Sequence, residues 1–366
     1  MSEGEAREPK RACRDPSDEV VQLREWATET VHLLSRTPST RWTAIGRHRG
    51  CSIRLRDRHR RVSRFHAELS YHHDQGQWLL RDLNSTNGTW LHGARTPAFW
   101  LALGDEIQIG YATLIAESRR SIELRAYVRR LLGWDASRLD DVDAALRWIR
   151  ASMAGREALV LCGEDDLMPI ARSLHCRTLG GDRPFIVCDP EGCQINDPGR
   201  PPNYGDGVPA LVAAHGGTLC VRHERLPYDF ALIESALQLP TTQVQLIVCS
   251  RMAGDCARYQ SLPITIPPLS DRMHELDRII DEYVLDAIQQ LKLEGAALSP
   301  EDHEWVRRHA SSSLAGIEKA TLRLTAIRTC KDLGAAAARL GMRVESLMLW
   351  VERRKVPMGV ACSCCV

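Results

Sequence analysis

Up to about Ser118 the apolar residues recur with a period of two. Beyond that point the period is about 3.6, broken by four continuous apolar runs. The alternating part predicts β-strands, the first of them Thr30–Leu34 and Trp42–Ile45. Glu68 to Asp82 reads as a hairpin, ELSYHH and QWLLRD around an Asp-Gln-Gly turn, with His72 and His73 solvated beside it. Ile107–Ala116 supplies the last strand. Residues 1–28 are polar, with a short helix expected near Val20–Trp26.

Past Ser121, Leu124, Val128 and Leu131 share one helical face, and Val142, Ala145, Trp148 and Ile149 share a second, with Asp140 and Asp141 at its start. The continuous runs Ala158–Cys162, Phe185–Cys188, Thr218–Val221 and Gln245–Cys249 have the character of parallel strands buried on both faces. Asp166–His175 and Asp229–Leu239 between them predict helices, hence a doubly wound α/β layer. Leu276, Ile280, Val284, Ile288 and Leu291 mark a long amphipathic helix. Ser299-Pro300-Glu301-Asp302 opens another, and Gly316–Arg328 is a third.

A chain of 366 residues is too long for one ordinary core, and 44% hydrophobic with 26% charged residues is a globular balance. The net charge of +1 excludes a globally basic nucleic-acid coat, so any DNA contact must be local. The first twenty residues have no apolar run of a signal peptide, and no stretch nears the roughly 18 apolar residues of a membrane span. A cytoplasmic protein is expected. Thirteen scattered cysteines fit a reducing compartment. Cys162, Cys188, Cys220 and Cys249 read as small buried hydrophobes, and the tail Cys362-Ser363-Cys364-Cys365 as a reduced terminus without zinc.

The densest chemistry lies between Ile45 and Gly93. Arg41 to Arg64 holds nine arginines and one acid, Asp57, a field that calls for an anionic partner. Gly46-Arg47, Ser63-Arg64-Phe65-His66, Ser85-Thr86-Asn87-Gly88-Thr89 and then Leu101, Gly104, Asp105, Ile107, Ile109 and Gly110 follow in order. This spacing resembles the forkhead-associated (FHA) domain, which implies a β-sandwich whose loops bind phosphothreonine peptides. A phosphothreonine carries roughly −1.5 to −2 charge and three acceptor oxygens, and guanidinium forks with hydroxyl and backbone donors match it. By that resemblance Arg47, Ser63 and Arg64 hold the phosphate. Thr86 and Asn87 fix the peptide backbone and the γ-methyl. Arg61 faces the third residue after the phosphate, and Gly46, His66 and Gly88 are structural. The bland alternative is a sandwich that has lost its ligand.

The α/β part resembles the AAA+ core of sigma-54-dependent activators, most specifically at Gly216-Gly217-Thr218-Leu219 and Pro267-Pro268-Leu269-Ser270-Asp271-Arg272. It departs from that family at the catalytic positions. Gly163-Glu164-Asp165-Asp166-Leu167-Met168-Pro169 has no Lys for phosphates. The family's acidic pair falls on Arg222 and His223, so metal coordination and water activation lose their groups. The sigma-54-contacting loop has no counterpart between Asp189 and Ala213, where PGRPPNYGDG reads as a plain loop. A pseudo-ATPase is expected, with no catalytic residue, metal or cofactor. His175, Cys176 and His215 near strand ends are expected to pack or lie on the surface rather than catalyse.

Lys331–Lys355 resembles a Fis-type helix-turn-helix, with Ala336, Ala337, Leu340, Gly341, Val344 and Leu347 in pattern. Its second helix would present Arg343, Ser346, Arg353 and Arg354, with Glu345, to DNA. The fold class is therefore multidomain: an all-β FHA sandwich, an α/β AAA+-like core with a Rossmann-type parallel sheet, then an α-helical lid and helix-turn-helix. The expected boundaries are 1–28 polar segment, 29–118 sandwich, 119–155 helical linker, 156–270 core, 271–316 lid, 317–357 helix-turn-helix and 358–366 cysteine tail. The expected function is a phosphothreonine-dependent transcription regulator. Its partners are a threonine-phosphorylated protein (a Ser/Thr kinase or its substrate), DNA and a second copy of the chain, without sigma-54 contact or membrane. The competing class is a phosphopeptide adaptor that does not bind DNA.

Overall fold

A computed structural model describes residues 18–36, 43–57, 59–153, 157–192, 201–259, 261–293 and 298–357. The chain forms two compact units, residues 1–129 with 135–147, and residues 130–134 with 148–366. The cysteine tail, Trp42 and most of the polar segment lie outside the described residues.

The first unit holds β1 (Val20–Glu25), β2 (Val31–Leu33), β3 (Thr43–Gly46), β4 (Ile53–Arg54), β5 (Ala67–His72), β6 (Gln77–Asp82), β7 (Thr89–Leu91), β8 (Ala94–Arg95), β9 (Ala98–Trp100), β10 (Glu106–Ile109) and β11 (Ala112–Ser118). One sheet runs β2-β1-β11-β10-β7-β8 and the other β4-β3-β5-β6-β9. The period-two pattern explains the layers. Ala67 and Leu69 of β5 are fully buried, whereas Glu68 and Ser70, which alternate with them, are half-buried. Leu23, Ile45, Leu69, Leu80, Ile107 and Ile109 meet in one core, each such side chain contributing roughly 1.5–3 kcal/mol of burial.

Two expectations change here. Val20–Trp26 does not make a helix: Val20–Glu25 is a strand paired with β11 on one side and β2 on the other. The adjacent Val20 and Val21 favour extended backbone, and two strand partners outweigh a weak helical pattern. The sandwich thus starts within the segment expected to precede it. The last strand is two, β10 and β11, turned at Gly110, whose φ is +63°.

Two helices follow, α1 (Arg119–Leu132) and α2 (Leu139–Met153), expected as a linker. Residues 119–129 and 135–147 instead belong to the first unit. The reason is charge burial. Arg24 of β1 is fully buried, its Nε 2.8 Å from Glu117 on β11 and its Nη2 2.5 Å from Asp143 on α2. Burial works to lower the Arg24 pKa, and Asp143 and Glu117 outweigh it.

The second unit is built on β12 (Leu159–Cys162), β13 (Phe185–Cys188), β14 (Asn203–Tyr204), β15 (Thr218–Arg222), β16 (Gln245–Ser250) and β17 (Ile264–Thr265). All pairings in the sheet β14-β13-β15-β16-β12-β17 are parallel. The four expected strands are present. Asn203–Tyr204, expected in a plain loop, adds an edge strand because Val187 N donates to Pro202 O and Asp189 N to Tyr204 O.

Around the sheet lie α3 (Leu167–Thr178), α4 (Gly207–Ala213) and α5 (Phe230–Leu237), followed by α6 (Leu276–Gln290), α7 (Pro300–His309) and α8 (Leu314–Thr329). Ser299 and Asp302 close a capping box at the start of α7. The chain ends in α9 (Leu333–Arg339) and α10 (Val344–Arg354), joined through Gly341 at φ +63°. Among the described residues, no helix is long and apolar enough to cross a membrane.

Candidate functional site

The loops after β3, before β5 and after β6 converge because the backbone of the first two is stitched together. Arg47 N donates to Ser63 O at 3.1 Å, His48 N to Arg64 O at 3.0 Å, and His66 N to Ile45 O at 2.8 Å. Gly46 is what allows this approach, since a Cβ there would lie 2.3 Å from Arg64 O.

His66 fastens the third loop. Its ring is fully buried, Nδ1 accepts from Ser63 N at 3.1 Å, and Nε2 lies 3.2 Å from the carbonyl of Gly88. Because Nδ1 accepts from an amide, Nε2 carries the proton and donates. Burial pushes His66 below the usual histidine value, against the bond to Gly88 and the nearby Asp82. Gly88 has φ +75°, and a Cβ there would meet Arg95 Nε at 2.4 Å.

Sequence reasoning missed Asp82. Its carboxylate accepts from Ser85 N and Ser85 Oγ, each at 2.7 Å, and from Thr89 Oγ1 at 2.7 Å. Burial works to raise this carboxyl, and those bonds outweigh it and hold it below the usual carboxylate range. The signal was present: an Asp three residues before Ser85, at a strand end, favours such a side-chain turn.

Above this frame the ligand-type side chains gather. Ser63 Oγ accepts from Thr86 N at 3.2 Å and lies 3.5 Å from Thr86 Oγ1. Asn87 Nδ2 donates to Arg61 O at 2.7 Å, which ties Arg61 to the same cluster. Arg47, Arg61 and Arg64 are exposed. Among the described residues none of the three has a carboxylate partner; Arg61 only overlies the Tyr111 ring at 5.7 Å. Asp57, the acid in their midst, spends its oxygens on His59 N and Val62 N, at 2.9 and 2.5 Å. The loops that carry the six expected contact residues therefore meet, and among the described residues the three arginines on them have no carboxylate partner.

The second unit has a cleft of about 220 Å³ at the carboxyl ends of β12, β15 and β16, lined by Gly163–Leu167, Arg222, Glu224 and Cys249–Arg251. There the chain leaves β12 toward one side of the sheet and returns past it to β17, a switch point of the kind that holds ligands. The groups in it are paired internally. Arg222 reaches Asp166 at 3.3 Å and Asp189 at 3.6 Å. Asp165 accepts from Leu314 N at 2.7 Å, at the start of α8, and burial pushes its carboxyl up. His223 bonds the Tyr259 hydroxyl at 2.9 Å, and Glu224 accepts from Arg251 N at 2.7 Å.

His175 is buried between the Thr218 hydroxyl and Arg183 O, at 2.8 and 3.1 Å. It packs inside the unit, as does free, buried Cys249 beside Cys220. Of the residues expected to face DNA, Arg343 is exposed at the residue preceding α10, without a side-chain bond to the helix end, and Ser346 and Arg353 are exposed along it. Arg354 differs: its Nη1 donates to His309 O at 2.6 Å. Val344, Met348 and Leu349 are also exposed on α10.

A family model described as the FHA domain matches residues 43–110, the span of the loops above. A solved structure from work on phosphothreonine-dependent FHA domain interactions is 32% identical, covering 27% of this chain and 95% of that one, with a TM-score of 0.24. The FhaA FHA domain complexed with the intracellular domain of another protein is 33% identical, covering 26% of this chain and 96% of that one, TM-score 0.23. Mycobacterium tuberculosis EmbR in complex with a low-affinity phosphopeptide is 27% identical, covering 27% of this chain and 24% of that one, TM-score 0.24. No curated protein matches the chain.

Proposed function

We propose, on the premise that residues 43–110 form an FHA domain, that the first unit binds proteins phosphorylated on threonine. The observation that carries this reading is the set of exposed arginines Arg47, Arg61 and Arg64, without carboxylate partners among the described residues, on the loops that meet at the Ser63 and Thr86 hydroxyls. Arg47, Ser63 and Arg64 take the phosphate oxygens. Thr86 and Asn87 hold the peptide beside it, and Arg61 meets the side chain three residues on. Gly46, His66 and Gly88 keep the loops in place. Fluorescence anisotropy with one peptide in phosphothreonine, phosphoserine and unphosphorylated forms tests this. Tight binding of the first alone supports it, and equal affinity for all three sinks it.

For the whole chain we infer a transcription regulator with a catalytically dead core of the sigma-54-activator type. Two features support the dead core: a loop without lysine at the sheet's switch point, and Arg222 already paired with Asp166 and Asp189 there. A nucleotide phosphate would have to displace those acids from Arg222. The tight turn at Gly341 between α9 and α10, and exposed Arg343, Ser346 and Arg353, support a DNA-binding helix-turn-helix, for which a second copy of the chain is the natural partner. Arg354, bonded to His309 O, would have to exchange that bond for a phosphate. An electrophoretic shift with random duplex at low salt decides between regulator and adaptor. Salt-dependent retardation supports the regulator, and none supports the adaptor.

A further inference from the structure

We infer that the phosphothreonine this unit recognises lies within a dense run of further negative charge, either acidic residues or additional phosphates. The inference rests on the phosphothreonine reading and names the class of peptide it selects. One phosphate offers three acceptor oxygens, and Arg47, Arg64 and the hydroxyls around them already meet that demand. The same segment also exposes Arg49, Arg54, Arg56 and Arg60.

Their placement is specific. β4 pairs in parallel with β3, setting Arg54 opposite Gly46, and Leu55 N donates to Gly46 O at 3.0 Å. Arg54 therefore lies about one strand spacing, ~4.8 Å, from the backbone that leads directly into Arg47. Ile53 and Leu55 are buried, which turns Arg54 and Arg56 to the solvent face with a period of two.

Among the described residues of the unit, none forms an ion pair with these arginines. Asp57 gives its oxygens to backbone amides, whereas Arg24, Arg81, Arg125 and Arg147 of the same unit all have carboxylate partners. β4 is also an edge strand, where charge discourages unwanted pairing between sheets. Either sign serves that purpose, and a single charge can do it, so edge protection does not account for seven exposed arginines against one acid, Asp57, from Arg47 to Arg64.

The test uses the full chain and anisotropy at 50 and 500 mM salt. The peptides carry one phosphothreonine with neutral flanks, with three flanking glutamates, or with a second phosphate, each flank placed before or after the threonine. Exposed pairs are individually weak and screened, so the charged flanks should tighten binding roughly three- to tenfold at low salt, and less at high salt. The R54Q/R56Q variant should lose that advantage while binding the neutral-flank peptide within about twofold of the wild type.

Equal affinity for neutral and charged flanks overturns the inference, as does an advantage that survives R54Q/R56Q. Salt-dependent binding of random duplex DNA that disappears in R54Q/R56Q, with no flank effect, would assign the surface to nucleic acid instead. If the neutral-flank phosphothreonine peptide binds no better than its unphosphorylated form, the site reading itself fails and takes this inference with it.

Discussion

Replacing Arg47 by alanine separates recognition from folding. The side chain is exposed and has no carboxylate partner among the described residues, while its loop is held by backbone bonds, Arg47 N to Ser63 O at 3.1 Å and His48 N to Arg64 O at 3.0 Å. Truncation therefore leaves the loop in place, and the unfolding free energy should move by no more than about 0.5 kcal/mol. A hydrogen bond to a charged group contributes roughly 1.5–3 kcal/mol. An exposed fork making two such bonds in screened solvent should reach that range rather than its double. The dissociation constant for a phosphothreonine peptide should rise roughly tenfold to a hundredfold, since each 1.4 kcal/mol is about a factor of ten. Arg47→Lys keeps the charge without the fork and should fall between. Anisotropy gives the affinity and a thermal melt the control. Affinity within twofold of the wild type would refute the assignment; so would a loss of affinity that tracks a lowered melting temperature.

Gly46→Ala should act through the fold. Its Cβ would meet Arg64 O at 2.3 Å, so the loops must part at a cost of roughly 1–3 kcal/mol, and both melting temperature and phosphopeptide binding should drop. Asp143→Ala leaves buried Arg24 with Glu117 alone and should cost about 3–5 kcal/mol in urea unfolding, a loss that Arg24→Met combined with Asp143→Leu and Glu117→Gln should largely restore, because no buried charge then stands unpaired. An unchanged urea midpoint in Asp143→Ala would remove the case for that network. His66 is depressed below its unfolded value of about 6.5, so the native state binds fewer protons than the unfolded chain just below that pH. Its stabilisation is complete above about pH 6.5 and declines as pH falls toward the depressed value, by up to about 1.4 kcal/mol per unit. Buried His175 adds a term of the same sign. The melting temperature should fall between pH 6.5 and 5, less steeply in His66→Gln, and a flat profile would contradict the burial argument.

Much of this was legible in residue order, and the failures have physical causes. The hairpin around Gly76 and the four buried strands of the second unit follow from periodicity, because a side chain's burial in a sheet is set by its own position in the alternation. Arg47, Ser63, Arg64, Thr86 and Asn87 were singled out through the likeness of their motifs to the FHA domain, and the loops that carry them meet in the fold. What escaped depends on partners remote in sequence. Val20–Glu25 is a strand only because β11, over ninety residues later, lies beside it. The helices taken for a linker belong to the first unit because Asp143 answers the buried charge of Arg24. Asp82 carries no ligand-type signature and acts by holding the loop that does.

The two units treat positive charge in opposite ways, and this bears on where a phosphate can go. In the second unit the cation at the sheet's switch point, Arg222, is shared between Asp166 and Asp189, and Arg225 reaches Asp189 and Glu191. A phosphate arriving there gains one guanidinium and must strip it of acids already in place, while Glu164 and Asp165 line the same cleft and repel it. Among the described residues of the first unit, Arg47, Arg61 and Arg64 have no acid to surrender, and the nearby Asp57 is satisfied by backbone amides. The difference sets an order of preference: a phosphorylated protein should be held by the first unit at concentrations where ATP is not retained by the second. Equilibrium dialysis with labelled ATP beside anisotropy with a phosphothreonine peptide would measure both on one preparation. Retention of ATP as tight as the peptide would show that the acids around Arg222 do not close its site.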